Sequence, residues 1–218
     1  MTKKFTKNID YVRSYPALSI KRMRKSKPKR EYDNYLYMKK IGIPCPENIT
    51  MNQQRNKIGL LVEAKLEMDF VKDTKDLRHF FFDESLKSFH EDLPFRLKTA
   101  RLLGGYIKQM HDNGYFHLNL NFRNILIRYD SDTAPELFFI DCTSGLRRPK
   151  FKIKYYICKE IAFMYKDARK WCGIKELLAF MHVYTGRNKL TTEDRAFMKR
   201  IVSYAGNKWG DRSSTLQD

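Results

Sequence analysis

The sequence predicts an α+β protein built as two unequal lobes, a smaller β-rich one followed by a larger helical one. Three observations carry this reading. Strand-like runs and a single helix fill the first third of the chain. A long amphipathic helix then leads into a hairpin. Helical periodicity, broken by glycines, fills most of the remainder. The 218 residues are enough for one large domain or two small lobes with a real core. Apolar residues make up 42% and aromatic residues 14%, which favours a globular chain over a disordered one.

Taken in order, Tyr15–Met23 (YPALSIKRM) reads as a short strand, and a basic turn containing Pro28 follows. In REYDNYLYMKK the apolar residues Tyr32, Tyr35, Leu36 and Met38 fit one helical face, and Gly42 is a natural stop. The prolines of Gly-Ile-Pro-Cys-Pro forbid continuation. Lys57–Ala64 (KIGLLVEA) reads as a buried strand, and Asp76–Phe82 as a short helix. Pro94 opens a long helix whose stripe is Leu97, Ala100, Leu103, Ile107 and Met110. Gly104 and Gly105 cost that helix about 1 kcal/mol each relative to alanine, tolerable where another backbone packs closely. Gly114 fits its C-terminal cap. The period then changes: Asn124–Tyr129 and Glu136–Ile140 form a hairpin around DSDTAP. From about Tyr155 the chain alternates helices with breaks at Gly173, Gly186 and Gly206. The small lobe is placed at 1–62 and the helical lobe at 63–218, with a catalytic-loop hairpin at 116–141.

Charge and cysteines bound the functional classes. The net charge is +18, concentrated at the ends: +11 over residues 1–57, −3 over 58–146 and +10 over 147–218. Such surfaces attract nucleic acid, anionic membrane or phosphorylated glycolipid. The cysteines Cys45, Cys142, Cys158 and Cys172 form no close pair and read as four buried thiols in a reducing compartment. The first residues lack the apolar segment of a secretory signal, and no apolar run is long enough to span a bilayer, so the expected location is cytoplasmic.

The residues that carry chemistry lie in a telling order. Phosphoryl transfer needs a lysine on the nucleotide phosphates, a glutamate to position it, and a carboxylate with an amide for Mg²⁺. Lys21 ends the strand ALSIK, Glu31 lies in the helix that follows, and Asn124 and Asp141 flank a hairpin that can bring both to one edge. The stretches EYDNYLYMKKIGIPCP (31–46), IKQMHDNGYFHLNLNFRNILI (107–127) and FFIDC (138–142) resemble the lipopolysaccharide kinase family. That family comprises the Kdo and heptose kinases of the WaaP/InaA-like group, relatives of the protein-kinase fold. The resemblance runs over roughly residues 15–148.

The resemblance implies a protein-kinase-like bilobal fold with a truncated N-lobe, ATP and Mg²⁺ as cofactors, and a lipopolysaccharide core or other phosphorylated glycolipid as partner. It also implies a peripheral position at the inner face of the cytoplasmic membrane. Lys21 would contact the nucleotide phosphates and Glu31 would pair with it. Asn124 and Asp141 would hold Mg²⁺, His117 would be the structural histidine of the catalytic loop, and Glu63–Lys65 would be the hinge beside the adenine. The chain departs from the pattern twice. Asn119 stands where the family's catalytic Asp stands, and no glycine precedes Gly42 to form a phosphate-covering loop. An amide hydrogen-bonds a hydroxyl but does not take its proton. Hence two readings stand beside each other: a glycolipid kinase, and a pseudokinase binding or scaffold module. A basic nucleic-acid-binding protein is the third, on charge alone.

Overall fold

A computed structural model describes residues 4–8 (backbone only), 25–130, 134–149 and 151–209. The expected strand at Tyr15–Met23, and Lys21 with it, lie outside the described residues.

An antiparallel sheet and a helix open the chain. β1 (Lys4–Asn8) and β2 (Thr50–Arg55) flank β3 (Leu61–Asp69) on either side. β3 starts later than its sequence suggests and runs past position 62 to Asp69. The cause is a tight turn: the Asn56 side chain accepts from the Ile58 and Leu60 amides, and Gly59 has φ +78°. Ala64, Leu66 and Met68 then point alternately into the core. β2 has almost no apolar face, which is why periodicity does not disclose it.

Helix α1 (Lys27–Lys40) crosses this sheet. Ser26 caps it by accepting from the Lys29 amide, and Pro28 occupies the first turn, where no donor is needed. Its buried face carries Glu31, Asn34, Tyr35 and Met38, one or two turns apart. Gly42, at φ +71°, ends it, and the Ile43 amide returns to the Met38 carbonyl.

The second part begins with β4 (Lys75–Asp76) and the expected short helix, α2 (Leu77–Phe82), which Asp76 caps by accepting from the His79 amide. α3 (Lys87–Glu91) and α4 (Leu93–Asp112) follow. β5 (Tyr115–Phe116) pairs with β8 (Leu146–Arg147). Between them lies the expected hairpin, β6 (Ile125–Arg128) against β7 (Glu136–Phe139), with β4 on its outer edge. Ile125 faces Phe139 and Ile127 faces Leu137, all fully buried. α5 (Ile153–Ala168), α6 (Ile174–Thr185) and α7 (Thr192–Trp209) complete the helical part.

Gly173 and Gly186 bound α6, but Gly206 does not break the chain: it lies inside α7. Two of the expected buried thiols are also corrected. Cys45 and Cys142 are buried, whereas Cys158, within α5, and Cys172, just before α6, are only partly buried against the core.

The α4–α6 contact explains the paired glycines. A Cβ on Gly104 would lie 2.6 Å from the Phe180 carbonyl oxygen, while one on Gly105 would meet only Val183 Cγ1 at 3.7 Å. Gly104→Ala should therefore cost about 1–3 kcal/mol through overpacking. Gly105→Ala should be neutral or stabilising by up to about 1 kcal/mol. Urea denaturation of the two variants checks the contrast; equal effects would contradict the close backbone approach.

Candidate active site

The site is assembled from the loop after β5, the end of the β6–β7 hairpin and the buried face of α1. The hairpin supplies the geometry. Its last ladder bond joins the Ile140 amide to the Asn124 carbonyl at 3.0 Å, so Asn124 and Asp141 emerge on one edge. The short 3₁₀ turn Phe122–Asn124 aims Asn124 back at the loop, where its Nδ2 donates to the Asn119 carbonyl at 2.7 Å. With its nitrogen so used, the Asn124 Oδ1 is left as an acceptor, the atom a hard cation needs.

Asn119 meets Asp141 directly: its Nδ2 donates to Asp141 Oδ2 at 2.8 Å. Asn121 Nδ2 donates to the Asn119 carbonyl at 3.2 Å and to its Oδ1 at 3.3 Å. The amide at 119 thus fills the gap that two facing carboxylates would leave under mutual repulsion.

Asp141 itself has left-handed backbone, φ +57°. Its amide donates to the Tyr35 hydroxyl at 3.0 Å. Burial keeps that phenol well above its ordinary pKa, so it stays protonated and contacts Glu31 Oε1 at 3.4 Å. Thr143 Oγ1 donates to Glu31 Oε2 at 2.7 Å, and Asn34 Nδ2 donates to the Cys142 carbonyl at 2.8 Å. Helix α1 is therefore bolted to segment 141–145. Gly145 is required there, because a Cβ would lie 2.5 Å from the Tyr115 hydroxyl oxygen.

The loop is held from the other side by α5. Leu118 is left-handed (φ +58°), a costly conformation for a branched side chain. Its amide donates to Glu160 Oε2 at 2.7 Å, while Glu160 Oε1 lies 3.2 Å from His111 Nε2. Asp167, two turns on, accepts from the Phe122 amide at 3.1 Å. Both carboxylates on α5 were missed by sequence reasoning. Nothing local marks them, because each acts across more than forty residues.

The remaining expected residues divide. Glu31, Asn119, Asn124, Asp141 and His117 come together. Glu63 and Lys65 lie mid-strand in β3; Glu63 is exposed, and Lys65 pairs with Glu67 at 2.8 Å. The cleft is lined instead by the end of β3 and the residues after it (Met68, Asp69, Phe70 and Val71), with Pro46, Leu126 and Ile140. Glu31, Tyr35 and Asp141, linked by hydrogen bonds, line it as well. It is a largely apolar slot whose lining includes the carboxylates of Glu31, Asp69 and Asp141. Among the described residues no group of three or more His, Cys, Asp or Glu could hold a metal ion. The donor set that does exist, one carboxylate and one amide oxygen, suits a Mg²⁺ that takes its other ligands from phosphates and water.

His117 is fully buried. Its Nε2 donates to the Ile140 carbonyl at 3.0 Å, and its Nδ1 is buried without a partner among the described residues. Burial holds its pKa below the ordinary 6.5. In the window below 6.5 the unfolded chain binds more protons than the folded one, so this contribution is intact above 6.5 and lost as pH falls. The slope is at most about 1.4 kcal/mol per pH unit. His117→Gln should flatten the fall in stability between about pH 7 and about pH 5 in denaturant titrations. An unchanged slope would mean that His117 protonates freely in the fold.

Residues 4–184 match the model of the lipopolysaccharide kinase (Kdo/WaaP) family. Two curated relatives, the 3-deoxy-D-manno-octulosonic acid kinases of Haemophilus influenzae strains PittEE and 86-028NP, are each 26% identical over 87 residues. That match takes in 40% of this chain and spans only 32% of each relative's length. Among solved structures, WaaP in complex with acyl carrier protein superposes with a TM-score of 0.66 at 15% identity, covering 83% of this chain and 76% of that one. That likeness bears out the kinase-like bilobal fold. No helix among the described residues is long and apolar enough to cross a membrane. With more than half of its length matched by the family model, the chain belongs to the lipopolysaccharide kinase (Kdo/WaaP) family.

Proposed function

We propose that the protein transfers phosphate from ATP, with Mg²⁺, to a Kdo or heptose hydroxyl of a lipopolysaccharide core at the inner face of the cytoplasmic membrane. The observation that carries this is the hydrogen-bonded cluster of Asn119, Asn124 and Asp141, whose Asp141 lines an apolar cleft. Asn124 Oδ1 and Asp141 would hold Mg²⁺, which would neutralise charge on the transferring phosphate. Glu31, fixed by Thr143 and Tyr35, would position Lys21 for the nucleotide phosphates. Residues 69–71, rather than Glu63–Lys65, would lie against the adenine, since they border the slot.

Asn119 decides the rate. It orients an acceptor hydroxyl but accepts no proton from it. Loss of a general base is worth about 10²- to 10⁴-fold. Phosphoryl transfer leans mainly on positioning and charge neutralisation, so a slow enzyme results rather than an inert one.

One observation favours the second reading, a binding or scaffold module. The Asn119–Asp141 hydrogen bond keeps the site assembled without a cation, which facing carboxylates would not do.

Radiolabel transfer from ATP to a purified core glycolipid separates the two. The kinase reading expects Mg²⁺-dependent transfer, loss of it in Asp141→Asn, and a gain of about 10²-fold or more in Asn119→Asp. No transfer by the natural chain or by Asn119→Asp overturns it; tight Mg-ATP binding in that case establishes the binding module.

A further inference from the structure

We propose that the surface formed by Arg148 and residues 151–155 seats the protein on an anionic lipid bilayer. In this segment, Phe-Lys-Ile-Lys-Tyr, large apolar side chains alternate with lysines. Phe151 is 78% exposed, Ile153 47% and Tyr155 47%. Ten large hydrophobic residues are exposed among the described residues, and three of them fall within these five positions: Phe151 just before α5, and Ile153 and Tyr155 in its first turn, with Tyr155 also resting on the Tyr204 ring of α7 at 6.5 Å. Lys152, Lys154 and Arg148 are exposed as well, with no acidic partner among the described residues. The sequence contains no Asp or Glu from 146 to 159. The nearest acids on α5, Glu160 and Asp167, are turned toward the catalytic loop.

The backbone fixes where this patch points. The Arg148 amide donates to the Gly114 carbonyl at 2.7 Å. Arg148 and Lys152 are both left-handed, at φ +45° and φ +62°, so the chain bends sharply between β8 and α5. Phe151 stands on that bend. Apolar tips flanked by lysines match the interface of an anionic bilayer: Phe and Ile enter the acyl boundary, Tyr sits among headgroups, and the ammonium groups meet lipid phosphates. A nucleic acid would reward the lysines but leave Phe151 and Ile153 without a role.

The position gives the surface a purpose. β8 pairs with β5, which runs directly into His117 and Asn119. α5, which begins at the patch, carries the Glu160 that holds the loop. A bilayer bound here would bring a membrane-anchored acceptor to the cleft. Only that consequence rests on the kinase reading; the docking itself does not.

Vesicle sedimentation of the full chain tests it, using phosphatidylcholine alone against phosphatidylcholine mixed with phosphatidylglycerol. Binding is expected only to the anionic vesicles. Lys152→Glu with Lys154→Glu, and separately Phe151→Ser with Ile153→Ser, should each weaken it by about tenfold or more while leaving thermal stability and Mg-ATP binding unchanged. Phe151→Trp should be quenched by brominated lipid beyond the level of the natural chain. Absence of vesicle binding overturns the proposal, as does equal binding by the variants. It is also overturned if the lysine pair governs binding to a DNA duplex and not to vesicles, or if the Phe151/Ile153 pair governs self-association. A chain that docks without transferring phosphate to a water-soluble core oligosaccharide sinks the kinase reading alone; one that transfers without docking sinks this inference alone.

Discussion

Everything at the site depends on where the backbone of Asp141 is held. The residue ends a buried hairpin and leaves it in a left-handed conformation that no neighbour in sequence enforces. Tyr35 fixes its amide, Asn119 fixes its carboxylate, and the next turn is gripped by Asn34 and Glu31. These partners come from both parts of the chain, so the carboxylate is placed by the packing of α1 against the hairpin rather than by its own loop. A left-handed Asp costs little by itself, but a site that must present one oxygen to a cation cannot let it wander.

The substitution at 119 is best understood from that fixed carboxylate. With an acid at 119, two negative groups would face each other across a hydrogen-bond distance, and the site would need a cation or a proton to close. With an amide there, the contact is attractive whatever the cation content. The same change that removes a proton acceptor therefore supplies a structural clasp. The clasp also occupies one oxygen of the residue expected to bind Mg²⁺, so metal binding competes with it. The absence of a proton acceptor at 119 and the presence of the clasp have one origin.

How far the sequence reveals this varies with the range of the interactions. α1 and α4 are legible because caps and apolar spacing are local: Ser26, Pro28 and Gly42 for the first, Asp92, Pro94 and Gly114 for the second. The β6–β7 hairpin is legible because its alternation flanks an evident turn. β2 is not, since its exposed faces erase the alternation that marks strands. The strand expected at Lys57–Ala64 is only half legible: the Asn56–Gly59 turn makes β3 begin at Leu61 and run on to Asp69. Asn124 and Asp141 are legible as a pair through their spacing around the hairpin. Their clasp through Asn119, and the supports from Glu160 and Asp167, form only when distant helices fold back, and no local pattern encodes them.

Those supports tie the loop after β5 to the basic surface. Leu118 holds an unfavourable conformation that persists because a buried carboxylate on α5 takes its amide. Glu160 is itself ordered by His111, which in turn contacts Tyr184 on α6 at 2.9 Å. The loop's shape is thus set by where α5 begins and by how its Glu160 meets His111 of α4 and, through it, Tyr184 of α6. The bend at Arg148–Lys152 sets that beginning, and the β8–β5 pair anchors the same bend to the strand that feeds the loop. The exposed segment 151–155 and the loop that carries Asn119 are thus joined twice, through the β8–β5 pair and through Glu160 of α5.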